Sequence, residues 1–346
     1  MVTNKLKFLF LCAVCCFSII NGQNKKYNWL GTVSAPEEYP MEIYSGAIIA
    51  DDFTYSFDAD WGTQNQGWGT EGKIKKAKIE KMDLPNQLNF TWYSLTEKKF
   101  YTGKWKLNKD KIKSLFDEGF VDQDTRKRVT YTTFIVGLAP KGKVAVWVKG
   151  SKNQKEVGFF QAHDTLITKE RADKDAQYMF KEGFTEATLY KAFNPELRKK
   201  ISEEGYPAVD SYEGYRERYK WKPVVILPEG GVWLDFGFTG YNGDEENLFA
   251  KSLKDNPYKE RAIPRFSGFY WRDQNKNRYA VWIDSFNEKE IFELFRKIGK
   301  EEEIDVTIKV NENNTKVLVS LITEEGEVSI TKAKIRLSHK AEQVAD

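Results

Sequence analysis

Short stretches of alternating apolar and polar residues lead twice into an amphipathic helix. In the first instance, residues 88–93 and 99–105 alternate with the period of β-strands and flank a polar turn at 94–98. Asn108 stands where its side chain can cap a helix, and Gly119 stands where that helix would stop. Apolar residues at helical spacing form one stripe, which consists of Ile112, Leu115, Phe116 and Phe120. The last of these follows Gly119. The pattern predicts a β-hairpin followed by one helix.

The second instance lies near the end of the chain and has the same order. Residues 269–271 and 278–283 predict two strands around a turn at 273–277. Asn287 and Glu290 predict a capping box, in which each side chain bonds the backbone of the other residue. The apolar stripe and the glycine that ends it are Ile291, Leu294, Phe295, Ile298 and Gly299.

Both instances belong to a longer correspondence between the two halves of the chain. Tyr27-x-Trp29 with Val33, Pro36 and Glu37 returns as Tyr219-x-Trp221 with Val225, Pro228 and Glu229. Pro85, Phe90, Trp92, Asn108, Ile112, Leu115 and Phe116 return as Pro264, Phe269, Trp271, Asn287, Ile291, Leu294 and Phe295. Lys143-Val144-x-Val146 returns as Lys316-Val317-x-Val319. The offsets of 192, 179 and 173 residues shrink in small steps, as expected if loops shortened between two copies of one folding unit.

More strands are predicted after each helix, at 131–138, 143–149 and 157–162 in the first half and at 304–310, 316–322 and 328–332 in the second. Hairpins with one helix between them indicate an α+β fold, in which the helix covers one face of an antiparallel sheet. We therefore predict two tandem β-rich repeats, each an antiparallel sheet with one packed helix.

A segment of different residue composition separates the predicted repeats. Residues 169–182 and 195–204 are charged and compatible with helices, and residues 206–219 are rich in Tyr, Glu and Arg without periodicity. Because apolar residues are interspersed here, we predict a helical connector packed on both repeats rather than a flexible linker. The predicted organisation is a signal segment at 1–22, a first repeat domain at 23–165, the connector at 166–214 and a second repeat domain at 215–346.

The N-terminal segment has the pattern of an export signal. Lys5 and Lys7 precede an uncharged run at 8–20, which is too short to span a bilayer but suits the core of a secretory signal. We place cleavage after Gly22. No other apolar run is long enough to cross a membrane, so no transmembrane segment is expected after signal removal.

All three cysteines lie inside this segment, so cleavage after Gly22 would leave a protein without disulfides. Lipidation at Cys15 or Cys16 is the alternative, although a lipoprotein signal favours a residue smaller than Val14 at the preceding position. We expect an exported protein of the periplasm or cell envelope, tethered to the outer membrane or secreted.

The charge balance gives no sign of the concentrated basic surface that nucleic-acid binders have. Without Lys5 and Lys7, the 54 basic residues become 52 against 51 acidic residues, and the two signs are interspersed. Nucleic-acid binders concentrate basic residues on one face, so no nucleic acid is expected as a partner. The aromatic content of 14% suits a β-rich core.

Candidate binding residues cluster in a part of the first repeat that is 13 residues longer than its counterpart. This part contains Asp58, Asp60, Trp61 and Trp68. Exposed indole rings can stack on a sugar while carboxylates accept its hydroxyl protons, and two carboxylates at a suitable separation can hydrolyse a glycosidic bond. The alternative is a polar hairpin whose tryptophans cover a sheet edge. These four residues are the predicted ligand-binding residues, and no catalytic residue is assigned.

Other chemistry has weaker signals. His163 and His339 are the only histidines and stand far apart, so no metal site and no cofactor is predicted. Residues 240–246, GYNGDEE, are most simply an Asn-Gly hairpin with a solvated acidic flank.

One set of motifs matches a known family. The motifs are Tyr27-Asn-Trp29, Ser34-Ala-Pro36-Glu-Glu-Tyr39-Pro40-Met-Glu-Ile43, Leu84-Pro85, Trp92-Tyr-Ser, Glu97-Lys-Lys-Phe100-Tyr101, Lys111-Ile112 and Leu115-Phe116. Over residues 27–120 the chain resembles the bacterial domain of unknown function DUF2931, and the second copy resembles it more weakly. Its members are common in Bacteroidetes and are often envelope lipoproteins, which implies an envelope location. The resemblance implies no activity, cofactor or catalytic residue.

These patterns predict an exported envelope protein of unknown biochemical role that binds a glycan or another envelope protein without catalysis. A groove between the two domains, lined by the connector, is the expected location of the ligand. The alternatives are a carboxylate-dependent polysaccharide hydrolase and an immunity-type inhibitor of a toxin.

Overall fold

The computed structural model describes residues 25–77 and 79–340. The predicted signal segment at 1–22, with its cysteines and cleavage site, lies outside the described residues. The described chain is mostly β-sheet, arranged in several sheets with few helices, which is a β-rich α+β fold. Within these ranges no helix has the length and apolar character needed to cross a membrane.

Strands of the first half alternate with short turns and one helix. They are β1 (Leu30–Ser34), β2 (Met41–Ile49), β3 (Thr54–Asp58), β4 (Thr63–Gln64), β5 (Gln87–Ser94), β6 (Lys99–Lys106), β7 (Phe120–Val121), β8 (Arg128–Val129), β9 (Thr133–Ala139), β10 (Lys143–Gly150), β11 (Asn153–Gln161) and β12 (His163–Thr165). The helix is α1 (Lys109–Glu118), between β6 and β7.

The remaining elements form the connector and the second half. The connector carries short 3-10 segments (Lys169–Arg171 and Lys174–Phe180) followed by α2 (Phe184–Ala192), α3 (Pro195–Glu204) and α4 (Ser211–Gly214). Then come β13 (Arg218–Ile226), β14 (Val232–Gly240), β15 (Glu245–Phe249), α5 (Ala250–Lys254), β16 (Lys259–Ala262), β17 (Pro264–Arg272), β18 (Arg278–Phe286), α6 (Glu288–Ile298), β19 (Glu303–Val310), β20 (Val317–Thr323), β21 (Gly326–Ile330) and β22 (Ala333–Lys340).

Each half contains two larger sets of paired strands. In the first half the strand orders are β1-β9-β10-β11 and β3-β2-β5-β6-β12, with β4 on β2, and β7 and β8 form a separate pair. In the second half the orders are β15-β14-β17-β18-β22 and β16-β13-β19-β20-β21. A single residue pair, Gln154 with Glu245, joins β11 to β15 and makes one nine-stranded sheet across both halves.

The predicted hairpins and helices are present, with one correction to the sheets. The pairs β5–β6 and β17–β18 are antiparallel, as expected. However, β1 pairs parallel with β9, and β13 pairs parallel with β19, so the prediction of purely antiparallel sheets is wrong. A parallel pair needs a long crossover connection. The chain supplies one because several antiparallel strands and a helix (α1 or α6) intervene between the two strands of each pair.

Both helix caps are confirmed, but one capping box is incomplete. The Asn108 side chain accepts from Lys111 N at 2.9 Å, and the Asn287 side chain accepts from Glu290 N at 3.0 Å. The Glu290 carboxylate does not bond back to the cap residue. It accepts instead from the backbone N–H groups of Thr331 and Lys332, at 2.9 and 2.8 Å. Glu290 therefore ties the start of α6 to the loop before β22.

Each half has its own apolar core. In the first, the ring of Phe116 from α1 stacks on Phe134 at 5.7 Å and meets the edge of Tyr27 at 5.4 Å. In the second, Phe295 from α6 meets the edge of Tyr219 at 5.2 Å. Each helix thus buries its stripe against the aromatic residue that precedes or begins the parallel strand.

The connector packs on the first half through a small third cluster of apolar residues. Ala176 and Met179 lie against Phe100 and Ala59. Beside them the Tyr178 hydroxyl donates to the carboxylate of Glu42, which is 2% exposed. Burial raises the pKa of Glu42 above its ordinary value of 4.5, although hydrogen bonds from Thr63 and Tyr178 oppose the shift.

A pH-dependent stability follows from this carboxyl group. Because its pKa is raised on folding, the stability it contributes is present below the ordinary glutamate pKa and is lost as the pH rises through the folded value. Glu42→Gln, which resembles the protonated form, should therefore gain stability relative to wild type as the pH rises from acidic to neutral. Denaturant unfolding across that range checks this. A stability difference that stays constant, or that moves in favour of wild type, would contradict it.

Candidate ligand-binding cleft

A cleft of about 550 Å³ lies where the two halves and the connector meet, and we call it the central cleft. Its volume is within the range of roughly 300–1,000 Å³ that small-molecule sites occupy. The first half contributes Pro36, Glu37, Glu38, Gly67 and Trp68, and the connector contributes Lys200, Pro207, Tyr212 and Tyr215. The second half contributes Tyr241, Arg265, Phe266, Ser285, Phe286, Asn287, Glu288, Lys332, Ala333 and Lys334.

Trp68 is held in the wall of the central cleft by two glycines with positive φ. Gly67 has φ of 110° and Gly69 has φ of 75°, in the region that favours glycine. The buried Ser34 hydroxyl donates to Gly67 O at 3.0 Å and accepts from Gly69 N at 2.9 Å. Trp68 is 7% exposed and packs edge-on against Trp147 at 4.9 Å. The Gly-Trp-Gly motif is therefore a tight turn that presents one indole ring.

A continuous row of aromatic rings connects the two halves along this cleft. Trp68 contacts Tyr212 at 5.0 Å between ring centroids, and Tyr212 contacts Tyr215 at 5.5 Å. Tyr215 contacts Tyr241 at 5.2 Å, and Tyr241 contacts Phe292 at 5.1 Å. Aromatic pairs at these distances contribute about 0.5–1.5 kcal/mol each beyond the area they bury. Because Trp68, Tyr212 and Tyr241 are buried, the row forms the rigid backing of the cleft, and the ring of Phe266, which is 37% exposed, is the aromatic face open to a ligand.

The tyrosine hydroxyls in this wall remain protonated donors. Tyr215 donates to a carboxylate oxygen of Glu288 at 3.0 Å, and Tyr241 donates to Phe286 O at 3.2 Å. Burial raises the pKa of both phenols well above the ordinary value of 10, while the charge of Arg265 opposes that shift. The opposing effect places the Arg265 guanidinium within electrostatic reach of both rings.

The lining of the central cleft has four basic residues (Lys200, Arg265, Lys332 and Lys334) against three acidic residues (Glu37, Glu38 and Glu288), an excess of one positive charge. Arg265 is half-buried, lies over the ring of Phe266 at 4.7 Å, and forms no ion pair with any described residue. Lys200 pairs with Glu38 at 3.6 Å, and Glu288 is occupied by Tyr215. An unpaired guanidinium beside aromatic rings is suited to a ligand that has both an apolar face and oxygen acceptors.

Hydrogen bonds between the halves fix the width of the central cleft. The Gln154 amide is 1% exposed and donates to Gly69 O at 2.9 Å and to Gly243 O at 2.6 Å. The Trp147 indole donates to Asn242 O at 2.9 Å. Residues 240–244 of the second half are thus inserted against the first half. We call this contact the junction.

Ion pairs between buried carboxylates and partly exposed arginines lie at the junction. Asp244 is 6% exposed, pairs with Arg218 at 2.8 Å and accepts from Glu156 N at 2.7 Å. Glu156 pairs with Arg216 at 2.8 Å, and burial raises its pKa despite that arginine. The predicted turn at 240–246 is present, but the prediction that its acidic flank is solvated is wrong. Asp244 is buried and pairs with Arg218, Glu246 pairs with Arg261, and Glu245 pairs with Lys149 of the first half.

The sequence-predicted site residues lie in two different surroundings. Trp61 is 4% exposed, packs on Phe57 at 4.6 Å and is covered by the Lys75 ammonium at 5.1 Å. The same ammonium pairs with the exposed Asp58 at 3.0 Å. Asp60 is exposed nearby. The prediction assumed exposed tryptophans, whereas both Trp61 and Trp68 are buried.

Trp68 is the one predicted residue that lines the central cleft. Trp68 is therefore separated from Asp58, Asp60 and Trp61. The face of the Trp61 indole is already covered by the Lys75 ammonium. A role for those three residues in binding stays a prediction.

Sequence reasoning did not select Arg265, Tyr212, Tyr215 or Tyr241. The non-periodic segment rich in tyrosine at 206–219 was the available signal for two of them, since aromatic residues without a helical or strand period indicate a surface that packs on more than one neighbour. Arg265 follows the repeated Pro264 and has no sequence signal of its own. Among the described residues, no group of three or more His, Cys, Asp or Glu side chains could hold a metal ion.

Comparison with known proteins gives one match. The profile of a family described as protein of unknown function (DUF2931) matches residues 18–208, which is more than half of the chain. A search of curated proteins and a search of solved structures each found no match.

Proposed function

The chain belongs to the DUF2931 family, whose description gives no function, and we propose that it is a binding protein that holds a glycan in its central cleft. The observation that carries this proposal is the unpaired Arg265 guanidinium over the exposed ring of Phe266 in the central cleft. Sugars present both an apolar face for stacking and hydroxyl oxygens for hydrogen bonding, so this combination suits them.

The rigid construction of the cleft supports a binding role. Its walls come from both halves, and the junction and the aromatic row hold them at a fixed separation. Binding then needs little reorganisation of the protein, which lowers the free-energy cost of association. A groove between two domains, lined in part by the connector, is also what the sequence predicts for the ligand site.

We extend the proposal to the origin of the fold as two tandem copies of one unit. The orders β3-β2-β5-β6-β12 and β15-β14-β17-β18-β22 match position by position, as do β1-β9-β10-β11 and β13-β19-β20-β21. The Trp29 indole donates to Asp83 O at 2.9 Å, and the Trp221 indole donates to Ala262 O at 3.0 Å. Each acceptor stands two residues before a repeated proline, Pro85 or Pro264. These equivalences support duplication.

The proposed setting is the cell envelope. The pattern of residues 1–22 supports export, and the family resemblance supports an envelope location. A glycan ligand suits that setting because polysaccharides surround envelope proteins. No contact within the described residues favours hydrolysis or toxin inhibition over binding.

Replacing the cleft arginine tests the proposal. We expect wild-type protein to bind short oligomers of galacturonic acid, a uronate sugar, in isothermal titration calorimetry. Arg265→Gln should weaken binding about tenfold or more, because a hydrogen-bonded charge pair to a ligand contributes about 1.5–3 kcal/mol. Arg198→Gln is the matched control, since Arg198 also lies over an aromatic ring (Tyr190, 4.4 Å) but belongs to the outer side of the connector.

The contrary outcomes are equally clear. If wild type binds neither these oligomers nor a panel of neutral oligosaccharides, the glycan proposal fails. If Arg265→Gln and Arg198→Gln weaken binding equally, binding occurs outside the central cleft.

A further inference from the structure

A second depression lies on the outer face of the nine-stranded sheet and touches the central cleft. It has a volume of about 590 Å³ and receives residues from β10, β14, β15, β17 and β18. Phe266, which is 37% exposed, lines both this depression and the central cleft. The two cavities are therefore neighbours on either side of one phenyl ring. We call the second one the trough.

The trough is built by strand register. Asn247, Gly237, Gly268 and Trp282 stand directly opposite one another across β15, β14, β17 and β18. Side chains of paired residues point to the same face, so two adjacent glycines leave a floor without side chains between an amide and an indole. With strands roughly 4.8 Å apart, the two glycines leave a strip of backbone two strands wide without side chains of its own.

The side chains at the two edges lean over that floor. A Cβ added to Gly268 would come within 3.1 Å of the Trp282 ring, and one added to Gly237 would come within 3.3 Å of the Asn247 amide oxygen. On its far side the Trp282 ring is backed by the Arg336 guanidinium at 5.1 Å, which also pairs with Asp284. The indole is thus held at the edge of the glycine floor and leans over Gly268.

Trp282 also borders a third, smaller depression of about 140 Å³, beyond the trough. There the Arg278 guanidinium lies over Tyr270 at 4.7 Å, and Tyr270 meets the edge of Trp282 at 6.0 Å. The central cleft, Phe266, the trough, Trp282 and this depression follow one another in a line. A line of cavities separated by single aromatic rings fits a linear polymer of rings.

Both signs of charge line the trough, with Lys149 and Lys152 against Glu245, Glu246 and Asp284. The acidic side chains are all paired, including Glu246 with Arg261 at 3.1 Å, whereas some of the cations along the line are not. Glu245 pairs with Lys149 at 2.8 Å, and Asp284 pairs with Arg336. Arg265, Arg278 and Lys152 form no ion pair with any residue in the described ranges. Free cations spaced beside aromatic rings are complementary to a polymer that carries a carboxylate on each unit.

We infer that the chain binds a linear acidic polysaccharide, which starts in the central cleft, passes Phe266 and lies along the trough against Trp282. This inference rests on the proposed function and names its ligand class and the length of its site. It assigns a stacking role to Trp282 and a charge-recognition role to Arg278 and Lys152.

Chain length separates this inference from the proposed function. Short and long oligogalacturonates are titrated into wild-type protein, Trp282→Ala, Gly237→Val and the control Tyr190→Ala, whose ring is 68% exposed on the connector. We expect wild type and Tyr190→Ala to bind the long oligomer at least about tenfold tighter than the short one. Trp282→Ala and Gly237→Val, which fills the floor without removing a polar group, should bind both lengths like the short oligomer.

Each contrary result has a distinct meaning. If the length gain is absent in wild type, or persists in both trough variants, the extended site is wrong while the central cleft can stand. If the short oligomer also fails to bind, the proposed function falls. If fully methyl-esterified oligogalacturonate binds as tightly as the acid, or if polyglutamate binds more tightly, the assignment to an acidic polysaccharide is wrong.

Discussion

Trp147→Ala should destabilise the protein by about 3–5 kcal/mol, the cost of removing a fully buried tryptophan from a well-packed core. Its ring is 0% exposed and meets the edge of Trp68 at 4.9 Å. Its indole also bonds Asn242 O across the junction at 2.9 Å. The substitution therefore removes core packing, junction bonding and support for the cleft wall together.

Two further variants separate these contributions. Trp147→Phe keeps a large ring but leaves Asn242 O without its donor, so we expect a smaller loss of about 1–3 kcal/mol. Trp282→Ala, at a half-buried position on the outer sheet face, should cost less than either. Denaturant unfolding monitored by circular dichroism measures all three. Equal losses for Trp147→Ala and Trp282→Ala would show that Trp147 does not anchor the junction.

Gly69→Ala should destabilise the protein more than its backbone angle alone explains. An alanine at positive φ costs roughly 1–2 kcal/mol. At Gly69 the added Cβ would also come within 3.0 Å of the Gln154 amide and 3.2 Å of Gly243 Cα in the other half. Overpacking of this kind costs a further 1–3 kcal/mol or so. The sum is a large fraction of the stability of an ordinary domain.

Gly183→Ala is the matched control for this prediction. Gly183 has φ of 72°, close to the 75° of Gly69, but a Cβ there would meet nothing within 4 Å. Each substitution lowers the free energy of unfolding by some amount. The difference between these two losses therefore isolates the contact across the junction. If the two substitutions cost the same, the halves do not approach as closely as Gly69 and Gly243 indicate.

Local patterns in the sequence predict the elements well. The strands β5, β6, β17 and β18 and the helices α1 and α6 follow from alternation, helical stripes and the caps Asn108 and Asn287. These signals work because each reports on neighbours only a few residues away. The incomplete capping box at Glu290 is the exception, since its carboxylate bonds a loop some 41 residues distant.

Contacts between distant segments are what the sequence does not predict. The parallel pairing of β1 with β9, and the single bridge from β11 to β15, depend on how the whole chain is arranged. The acidic residues at 244–246 have the local composition of a solvated turn, yet Asp244 is buried against Arg218. A charged residue opposite a distant arginine looks the same in sequence as one facing water.

In the candidate site, too, local features could be predicted from the sequence and contacts between distant segments could not. Trp68 was identified because the Gly-Trp-Gly motif is local, but its separation from Asp58, Asp60 and Trp61 arises from tertiary packing. The trough could not be predicted from periodicity, because it depends on two glycines from different strands, Gly237 and Gly268, meeting in register.

Hydrogen–deuterium exchange with and without a bound oligogalacturonate tests most directly whether the central cleft is the ligand site. We expect slower exchange, on binding, at the backbone amides of Tyr212–Tyr215 in the connector and of Phe286–Glu288 in the second half, with little change at Asp58–Trp61. Protection confined to Asp58–Trp61, or absent from the connector and the second half, would contradict the account.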